Sequence, residues 1–208
     1  MFISQNLFST KRNLKILMSN KITIAIDAST KSTGIAVFEG EKLIEYKCLT
    51  QTSKNVLTRI KLMTDEIEKF YLYVSGKDFN QTIDKAVRGE INDTNIQIIM
   101  EQIIPDNLDD AKWTKNQQTF KALFYLQAAI VLMFHHYNKE VEFIGASSWR
   151  KQCGIKQGGA NRDLLKARDI EFVKEKFNIA VNDDIADAIC IGYAKVHEIP
   201  APQPFNWE

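Results

Sequence analysis

The sequence predicts an α/β domain built on a five-stranded mixed β-sheet, with three antiparallel strands, two parallel strands and flanking helices. Three observations support this prediction. Five short segments are rich in apolar and β-branched residues, as buried strands are. Longer segments repeat apolar residues at steps of three and four, which is typical of helices that pack on a core. The predicted order is three strands, a helix, a strand, a helix, a strand and further helices, so the last two strands enter through helical crossovers.

The first three strands are predicted to form a meander. Residues 22–27 are an apolar run that ends at an acid, which indicates a buried strand. A turn rich in Ser and Thr follows, and residues 35–38 form the second predicted strand. Residues 39–41, with a central glycine, predict a hairpin turn before the third strand at residues 43–49.

The middle of the chain alternates between helix and strand. Residues 56–74 carry one apolar face and predict a helix. Residues 75–95 are polar and contain two glycines, which predicts a mobile loop. A near-continuous apolar strand is predicted at residues 96–104, where Pro105 ends it, and residues 106–114 predict a polar loop.

A second long helix is predicted at residues 117–137, and its apolar residues cover more than one face. Such a helix must hide its second face in a deep core or against another chain. We therefore expect a homodimer through this helix. A fifth strand is predicted at residues 141–144, followed by a helical turn near Trp149 and by helices at about residues 162–177 and 184–197.

The length of 208 residues suits one domain, which we place at residues 21–199. Residues 1–20 contain basic but no acidic residues and are predicted to be a disordered N-terminal extension. They are compatible with an organellar transit peptide, with an arm that touches DNA, or with an extension upstream of a start at Met18. Residues 200–208 are predicted to be a frayed tail.

Charge is unevenly distributed along the chain. The net charge is only +1, so the overall balance does not indicate a polyanion partner. Between Lys112 and Lys176 there are 12 Lys and Arg against 6 Asp and Glu, an excess of 12 − 6 = 6. This excess predicts either a basic face or an ordinary solvated surface.

Cysteine and apolar content indicate a location. The three cysteines show no metal-binding spacing, which is consistent with free thiols in a reducing compartment. No apolar run approaches the about 20 residues of a membrane span. We therefore expect a cytoplasmic protein, in the host cytoplasm if the chain is from a phage or virus, or an organellar one if the leader is a transit peptide.

Four carboxylates occupy positions where acids are unusual. Asp27 ends the first predicted strand, and Glu101 interrupts the apolar run of another. Asp184 and Asp187, three residues apart, share one face near the start of the last helix. A buried carboxylate normally protonates, pairs or binds a metal. Together the four acids predict a site for two Mg²⁺ ions, for which Mn²⁺ would substitute, that hydrolyses a phosphodiester.

Each of these acids also has a simpler explanation. Asp27 is compatible with an Asx turn that closes its strand, and Glu101 with a partner lysine. Asp183 and Asp184 suit the first turn of a helix because of the helix dipole. The sequence leaves open whether Asp183 shares the role expected of Asp184. The predicted site therefore depends on all the acids taken together, in their order along the chain.

At these residues the sequence resembles the RuvC-type Holliday junction resolvases, a family with the RNase H-like fold. Residues 24–37, Ile-Ala-Ile-Asp-Ala-Ser-Thr-Lys-Ser-Thr-Gly-Ile-Ala-Val, are similar to the first motif of that family. Residues 99–102, Ile-Met-Glu-Gln, are similar to the second, and residues 184–188, Asp-Ile-Ala-Asp-Ala, to the third. The resemblance implies that the catalytic, metal-binding carboxylates are Asp27, Glu101, Asp184 and Asp187.

A fourth similarity concerns contacts with DNA. Lys151 and Gln152 match a Lys-Gln pair of the family, and Arg162 matches a second basic residue that the family carries about eleven residues beyond that lysine. The resemblance implies that they contact phosphates of the scissile strand, with Arg162 nearer to the active site. The position three residues after the motif glutamate is often aromatic in the family and is Ile104 here, which leaves the junction preference open. The complete predicted DNA-binding set is Lys151, Gln152, Arg162, Gln102, Ile104 and Lys156.

The leading hypothesis is a magnesium-dependent endonuclease that resolves four-way DNA junctions as a homodimer, in recombination and repair. One alternative is a nuclease for other branched DNA or RNA–DNA hybrids. Another is an actin-like or sugar-kinase-type ATP-binding fragment, because residues 27–34 resemble the phosphate loop of those proteins, although their second phosphate loop is not present in this sequence. The third is a DNA-binding relative that has lost catalysis.

Overall fold

The computed structural model describes residues 21–76, 95–103 and 110–198, except for the side chains of residues 110–116. The strands within these ranges are β1 (Ile22–Asp27), β2 (Ser32–Glu39), β3 (Lys42–Thr50), β4 (Ile96–Glu101) and β5 (Val141–Ile144). They form one sheet in the order β3-β2-β1-β4-β5. The first three strands pair antiparallel, whereas β4 pairs parallel with β1, and β5 with β4. The predicted five-stranded mixed sheet is confirmed.

Helices cover both faces of the sheet. Those in the described ranges are α1 (Val56–Val74), α2 (Asp110–His136), α3 (Ala146–Gln152), α4 (Arg162–Phe177) and α5 (Asp183–Val196). Ile24 and Ile26 of β1 belong to a core shared with α1 and α2, whereas Ala25 belongs to a second core shared with the other three helices. Neighbouring strand residues point to opposite faces, so the two cores lie on opposite sides of the sheet.

None of the helices in the described part of the chain combines the length and the apolar character that crossing a membrane would require.

Asp27, predicted at a strand end, and Glu101, predicted inside a strand, both end their strands and lie at the same end of the sheet. β1 is buried from Ile22 to Ile26, as expected of a central strand. In the parallel pairing of β1 with β4, Ile26 is opposite Met100. The next residue on each strand is an acid, so Asp27 and Glu101 sit side by side at the carboxyl ends of two neighbouring strands.

α5 packs closely on the sheet because small residues lie at its points of closest approach. Alanines and Gly192 line its inner face, and a methyl group added at Gly192 would overlap the ring of Phe38. The same close approach occurs at the start of the helix, where the carbonyl oxygen of Asp184 lies against Gly34. Gly34 is in turn the register partner of Asp27. The first turn of α5 therefore lies beside the end of β1.

Two strand boundaries differ from the predicted ones by three residues, and the others by at most one. β2 begins at Ser32 because residues 32–34 already pair with β3, so part of the Ser/Thr-rich turn is strand. β4 ends at Glu101 rather than at residue 104. Its last partner on the short strand β5 is Ile144, where β5 also ends.

The start of α2 also differs from the prediction. The helix begins at Asp110, so residues 110–114, predicted as loop, are helical. This segment contains neither Gly nor Pro, the residues that most oppose a helix. The extension at residues 1–20, the tail at 200–208 and most of the predicted loop at 75–95 lie outside the described residues.

Candidate metal centre

Asp27 lies at the centre of an acidic cluster. It ends β1, beside Glu101 of β4 and opposite Gly34 of β2. Burial, together with the charges of Glu101 and Asp184, raises the pKa of Asp27 to about 8. A carboxylate perturbs the pKa of another in this way only at short range. The end of the sheet and the first turn of α5 thus bring three of the predicted acids together.

Glu101 is held by hydrogen bonds to both its side chain and its backbone. The buried indole of Trp149 donates its Nε1–H to Oε2 of Glu101 at 2.9 Å. The side-chain amide of Gln127 donates to the backbone carbonyl of Glu101 at 2.7 Å. Burial raises the pKa of Glu101, against the opposing effects of the Trp149 hydrogen bond and the Arg150 charge.

Asp184 is positioned by the first turn of α5 and by β2. Asn182 caps the helix by accepting a hydrogen bond from the backbone N–H of Ile185. The hydroxyl of Ser32, at the start of β2, donates to the carboxylate of Asp184. Gly34, two residues further along β2, leaves room for the backbone of Asp184. The Ser/Thr/Gly segment after Asp27 therefore shapes the site by holding the start of α5.

Asp187 is a buried acid near the start of α5. It is only 8% exposed, and its Oδ1 is buried without a hydrogen-bond partner among the described residues. Burial, with the charges of Asp27 and Asp169, raises its pKa to about 9. A buried carboxylate oxygen without a donor is costly unless it is protonated or binds a cation. This oxygen is the strongest local indication of a metal ligand.

The donor set fits a hard divalent cation. Carboxylate oxygens are the protein ligands that Mg²⁺ and Mn²⁺ prefer, and a cation would relieve the repulsion that raises these pKa values. Among the described residues, no group of three acidic, His or Cys side chains is already arranged to hold a metal ion. Binding would therefore require carboxylate oxygens that the described residues do not hold, such as Oδ1 of Asp187, to turn towards a common point.

Asp183 is engaged differently from its neighbour Asp184. Its carboxylate forms an ion pair with the ammonium of Lys166 on α4. The hydrogen bond from Lys166 lowers the pKa of Asp183. Asp183 therefore stays ionised with a lysine as its partner and joins the start of α5 to α4.

The predicted DNA-binding residues within the described chain are exposed. Lys151 and Gln152 end α3, and Arg162 begins α4. The charge of Arg162 is the last of several causes that act on the pKa of Glu101, and it lowers that pKa. The remaining exposed members are Gln102 and Lys156. Ile104 lies outside the described residues.

A buried ion pair next to the acidic cluster was not predicted from the sequence. Asp169 of α4 is fully buried, and its carboxylate accepts hydrogen bonds from Arg150 at 2.8, 3.0 and 3.2 Å. The sequence does contain a signal. Asp169 lies four residues after Leu165 and four before Val173, so it falls on the apolar stripe of a helix, where an acid needs a partner.

The fold is similar to that of solved Holliday junction resolvases. Thermus thermophilus RuvC in complex with a Holliday junction substrate aligns with 85% of this chain and 93% of its own, with a TM-score of 0.57 and 9% identity. A second Thermus thermophilus RuvC structure gives a TM-score of 0.57 and 11% identity over the same shares. The yeast mitochondrial Holliday junction resolvase gives 0.51 and 9%, covering 93% of this chain and 86% of that one. No protein-family model and no curated protein matches the sequence. The chain has the fold of the RuvC-type resolvases, a five-stranded RNase H-like arrangement.

Proposed function

We propose that this protein is a structure-selective endonuclease that resolves four-way DNA junctions by two-metal-ion hydrolysis, in recombination and repair. The observation that carries the proposal is the acidic cluster of Asp27, Glu101, Asp184 and Asp187. These acids come from two strand ends and one helix, and the buried Oδ1 of Asp187 has no hydrogen-bond partner in the described chain. The fold shared with a protein solved with a Holliday junction substrate supports the choice of DNA substrate.

The four carboxylates would hold Mg²⁺ or, in its place, Mn²⁺. Two such ions, when bound, supply an activated water and stabilise the leaving oxygen of a phosphodiester. The chain itself fixes the positions of the ligands. Trp149 orients Glu101, Ser32 orients Asp184, and the small residues of α5 keep Asp187 at the sheet and away from bulk water.

Exposed cations on α3, at the start of α4 and in the segment between them would bind the DNA backbone. Lys151 and Lys156 lie on α3 and in the segment that follows it, and Arg162 begins the next helix. Lysine and arginine on such a surface bind phosphates and release counterions, so affinity falls steeply with salt. Arg162, whose charge reaches Glu101, would hold the phosphate nearest to the carboxylates.

A homodimer through α2 follows from its exposed face. One side of this helix packs in the core through Leu126, Ile130 and Phe134. The opposite side presents Tyr125 and Leu132, which are 58% and 64% exposed. The exposed stripe follows a 4-3-4-3 spacing, as in helices that pair side by side, and consists of Lys121, Tyr125, Ala128, Leu132 and His135. Two-fold pairing of these stripes would set two active sites across one junction.

A cleavage panel tests the proposed function. Labelled four-way junction, flap, fork, duplex and RNA–DNA hybrid are incubated with the protein and Mg²⁺. We expect the junction to be cut, and Asp187→Asn to reduce cutting at least about 1,000-fold while binding the junction as the wild type does. The control is Asp65→Asn. It removes an acid on α1 that pairs with Lys61 and does not belong to the cluster.

Each outcome of the panel has a definite meaning. Faster cutting of flaps, forks or hybrids than of the junction would contradict the substrate assignment while keeping a nuclease. Junction binding without metal-dependent cutting in the wild type would indicate a DNA-binding protein that lacks catalysis. Cutting by Asp187→Asn at the wild-type rate would remove this aspartate from the mechanism.

A further inference from the structure

Trp149 connects the acidic cluster to the buried core. Its side chain is fully buried, and its indole N–H, which is only a donor, is used on Oε2 of Glu101 at 2.9 Å. A neutral donor fixes one oxygen of the carboxylate without neutralising its charge. Oε1 of Glu101 is thereby left to face another partner.

The indole ring of Trp149 is in turn covered by a guanidinium group. The guanidinium of Arg150 lies 4.1 Å from the centre of the Trp149 ring. That guanidinium is fixed by Asp169 through Nε at 3.0 and 3.2 Å and through Nη2 at 2.8 Å. Such a two-point pair sets the plane of the guanidinium, and stacking on that plane sets the plane of the indole. Asp169 lies on α4, so this series of contacts connects α3 and α4 to Glu101 at the end of β4.

The backbone around Glu101 is equally constrained. Gln127 of α2 donates to the carbonyl oxygen of Glu101 at 2.7 Å, and the N–H of Gln102 donates to Ile144 of β5 at 2.8 Å. Glu101 is therefore fixed before any ligand arrives. Asp187, by contrast, keeps Oδ1 without a partner among the described residues.

We propose that Trp149, held by the Arg150–Asp169 pair, is a positioning residue that presents Glu101 to the divalent metal ion. The inference rests on the proposed function, because it requires Glu101 to be a ligand. Neither Trp149 nor Arg150 touches the reacting atoms in this arrangement. Hydrogen-bond partners of ligating side chains typically change metal affinity by about 10- to 100-fold when removed.

The test measures Mg²⁺ binding directly. Mg²⁺ is titrated calorimetrically into the metal-free full-length protein, without DNA. Trp149→Phe keeps an aromatic ring but removes the N–H donor, and we expect it to bind Mg²⁺ at least about tenfold more weakly. The matched control is Tyr137→Phe, which removes the O–H donor that binds Glu68 at 2.6 Å in the other core. The control should bind Mg²⁺ as the wild type does.

Junction cleavage supplies a second readout, which a merely structural defect would not reproduce. For Trp149→Phe, kcat at limiting Mg²⁺ should fall about tenfold and recover at high Mg²⁺, with KM for the junction unchanged. In ¹⁵N-labelled wild type, the indole N–H resonance that Trp149→Phe deletes should shift when Mg²⁺ is added and in Glu101→Gln. Arg150→Lys keeps the charge and the indole but loses the two-point pair, so it should weaken Mg²⁺ binding several-fold even where Trp149→Phe proves too unstable to study.

The possible failures are distinguishable. Wild-type Mg²⁺ affinity in both Trp149→Phe and Arg150→Lys, in a protein that cuts junctions, would overturn the positioning role and leave the proposed function standing. Loss of activity in Trp149→Phe that high Mg²⁺ does not restore would also overturn it. A wild type that neither binds Mg²⁺ nor cuts would overturn both proposals together.

Discussion

Gly34 lies where β2 passes the start of α5. A methyl group at this position would overlap the carbonyl oxygen of Asp184, which belongs to backbone and cannot rotate away. Gly34→Ala must therefore displace the first turn of α5. We expect a loss of about 1–3 kcal/mol in the free energy of unfolding and a fall in junction cleavage of at least about tenfold, measured by denaturant titration and nicking assays.

Gly158 provides the control for this substitution. A methyl group there meets no atom within 4 Å, and its φ is not in the left-handed region. Gly158→Ala should therefore leave the free energy of unfolding within about 0.5 kcal/mol of the wild type. Equal stability of Gly34→Ala and the wild type would show that α5 yields at no cost and that its position is not set by this contact.

Single residues also show what the sequence could predict about the site. Asp27 and Glu101 were found because an acid that ends or interrupts an apolar strand is visible without a structure. The Trp149–Glu101 hydrogen bond was not predictable, because it joins residues 48 positions apart through the packing of α3 against β4. Asp169 lies between these cases: its place on an apolar stripe is a signal, but its partner Arg150 is defined only by the fold.

Helix α2 is the element through which we predict that the protein dimerises. Leu132 belongs to its exposed stripe and is 64% exposed, so a charge there should leave the monomer folded. We expect Leu132→Asp to raise the dimer dissociation constant at least about tenfold, because a desolvated charge is costly in an apolar interface. Sedimentation velocity at micromolar concentration measures the change.

Leu57 supplies the matched control for the dimer. It is a leucine of similar exposure, 67%, on α1 and outside the stripe, so Leu57→Asp should remain dimeric. A monomeric wild type at these concentrations would contradict the dimer altogether. Equal weakening by both substitutions would place the interface elsewhere than along this stripe.

Element order was more predictable than element ends. Hydrophobic periodicity located all five strands and the helices of the described ranges, because burial imposes periods near 2 and 3.6 on the sequence. The ends of β2 and β4 depend instead on how far β3 and β5 extend as hydrogen-bond partners. The length of a neighbouring strand is a property of the sheet, and it cannot be read from the sequence of the strand that pairs with it.

For the whole molecule, the acidic cluster couples stability to pH and to metal. The folded state raises the pKa of Asp27 and Asp187 to about 8 and about 9, against about 4 in the unfolded chain. Between these values the folded protein holds protons that the unfolded chain has released. The contribution is therefore fully present below about pH 4 and is lost as pH rises towards 8 and 9.

Metal-free protein should accordingly melt at a lower temperature at pH 8.5 than at pH 6, by roughly 5 °C for a chain of this size. Mg²⁺ replaces the protons, so 10 mM Mg²⁺ should raise Tm more at pH 8.5 than at pH 6. Asp187→Asn lacks the carboxyl proton of Asp187, so the Tm of this variant should depend less on pH and respond less to Mg²⁺. Scanning calorimetry of both proteins at the two pH values, with and without Mg²⁺, measures all of these differences. Identical pH and Mg²⁺ dependence in the two proteins would mean that Asp187 is neither protonated when metal-free nor a ligand when metal is present.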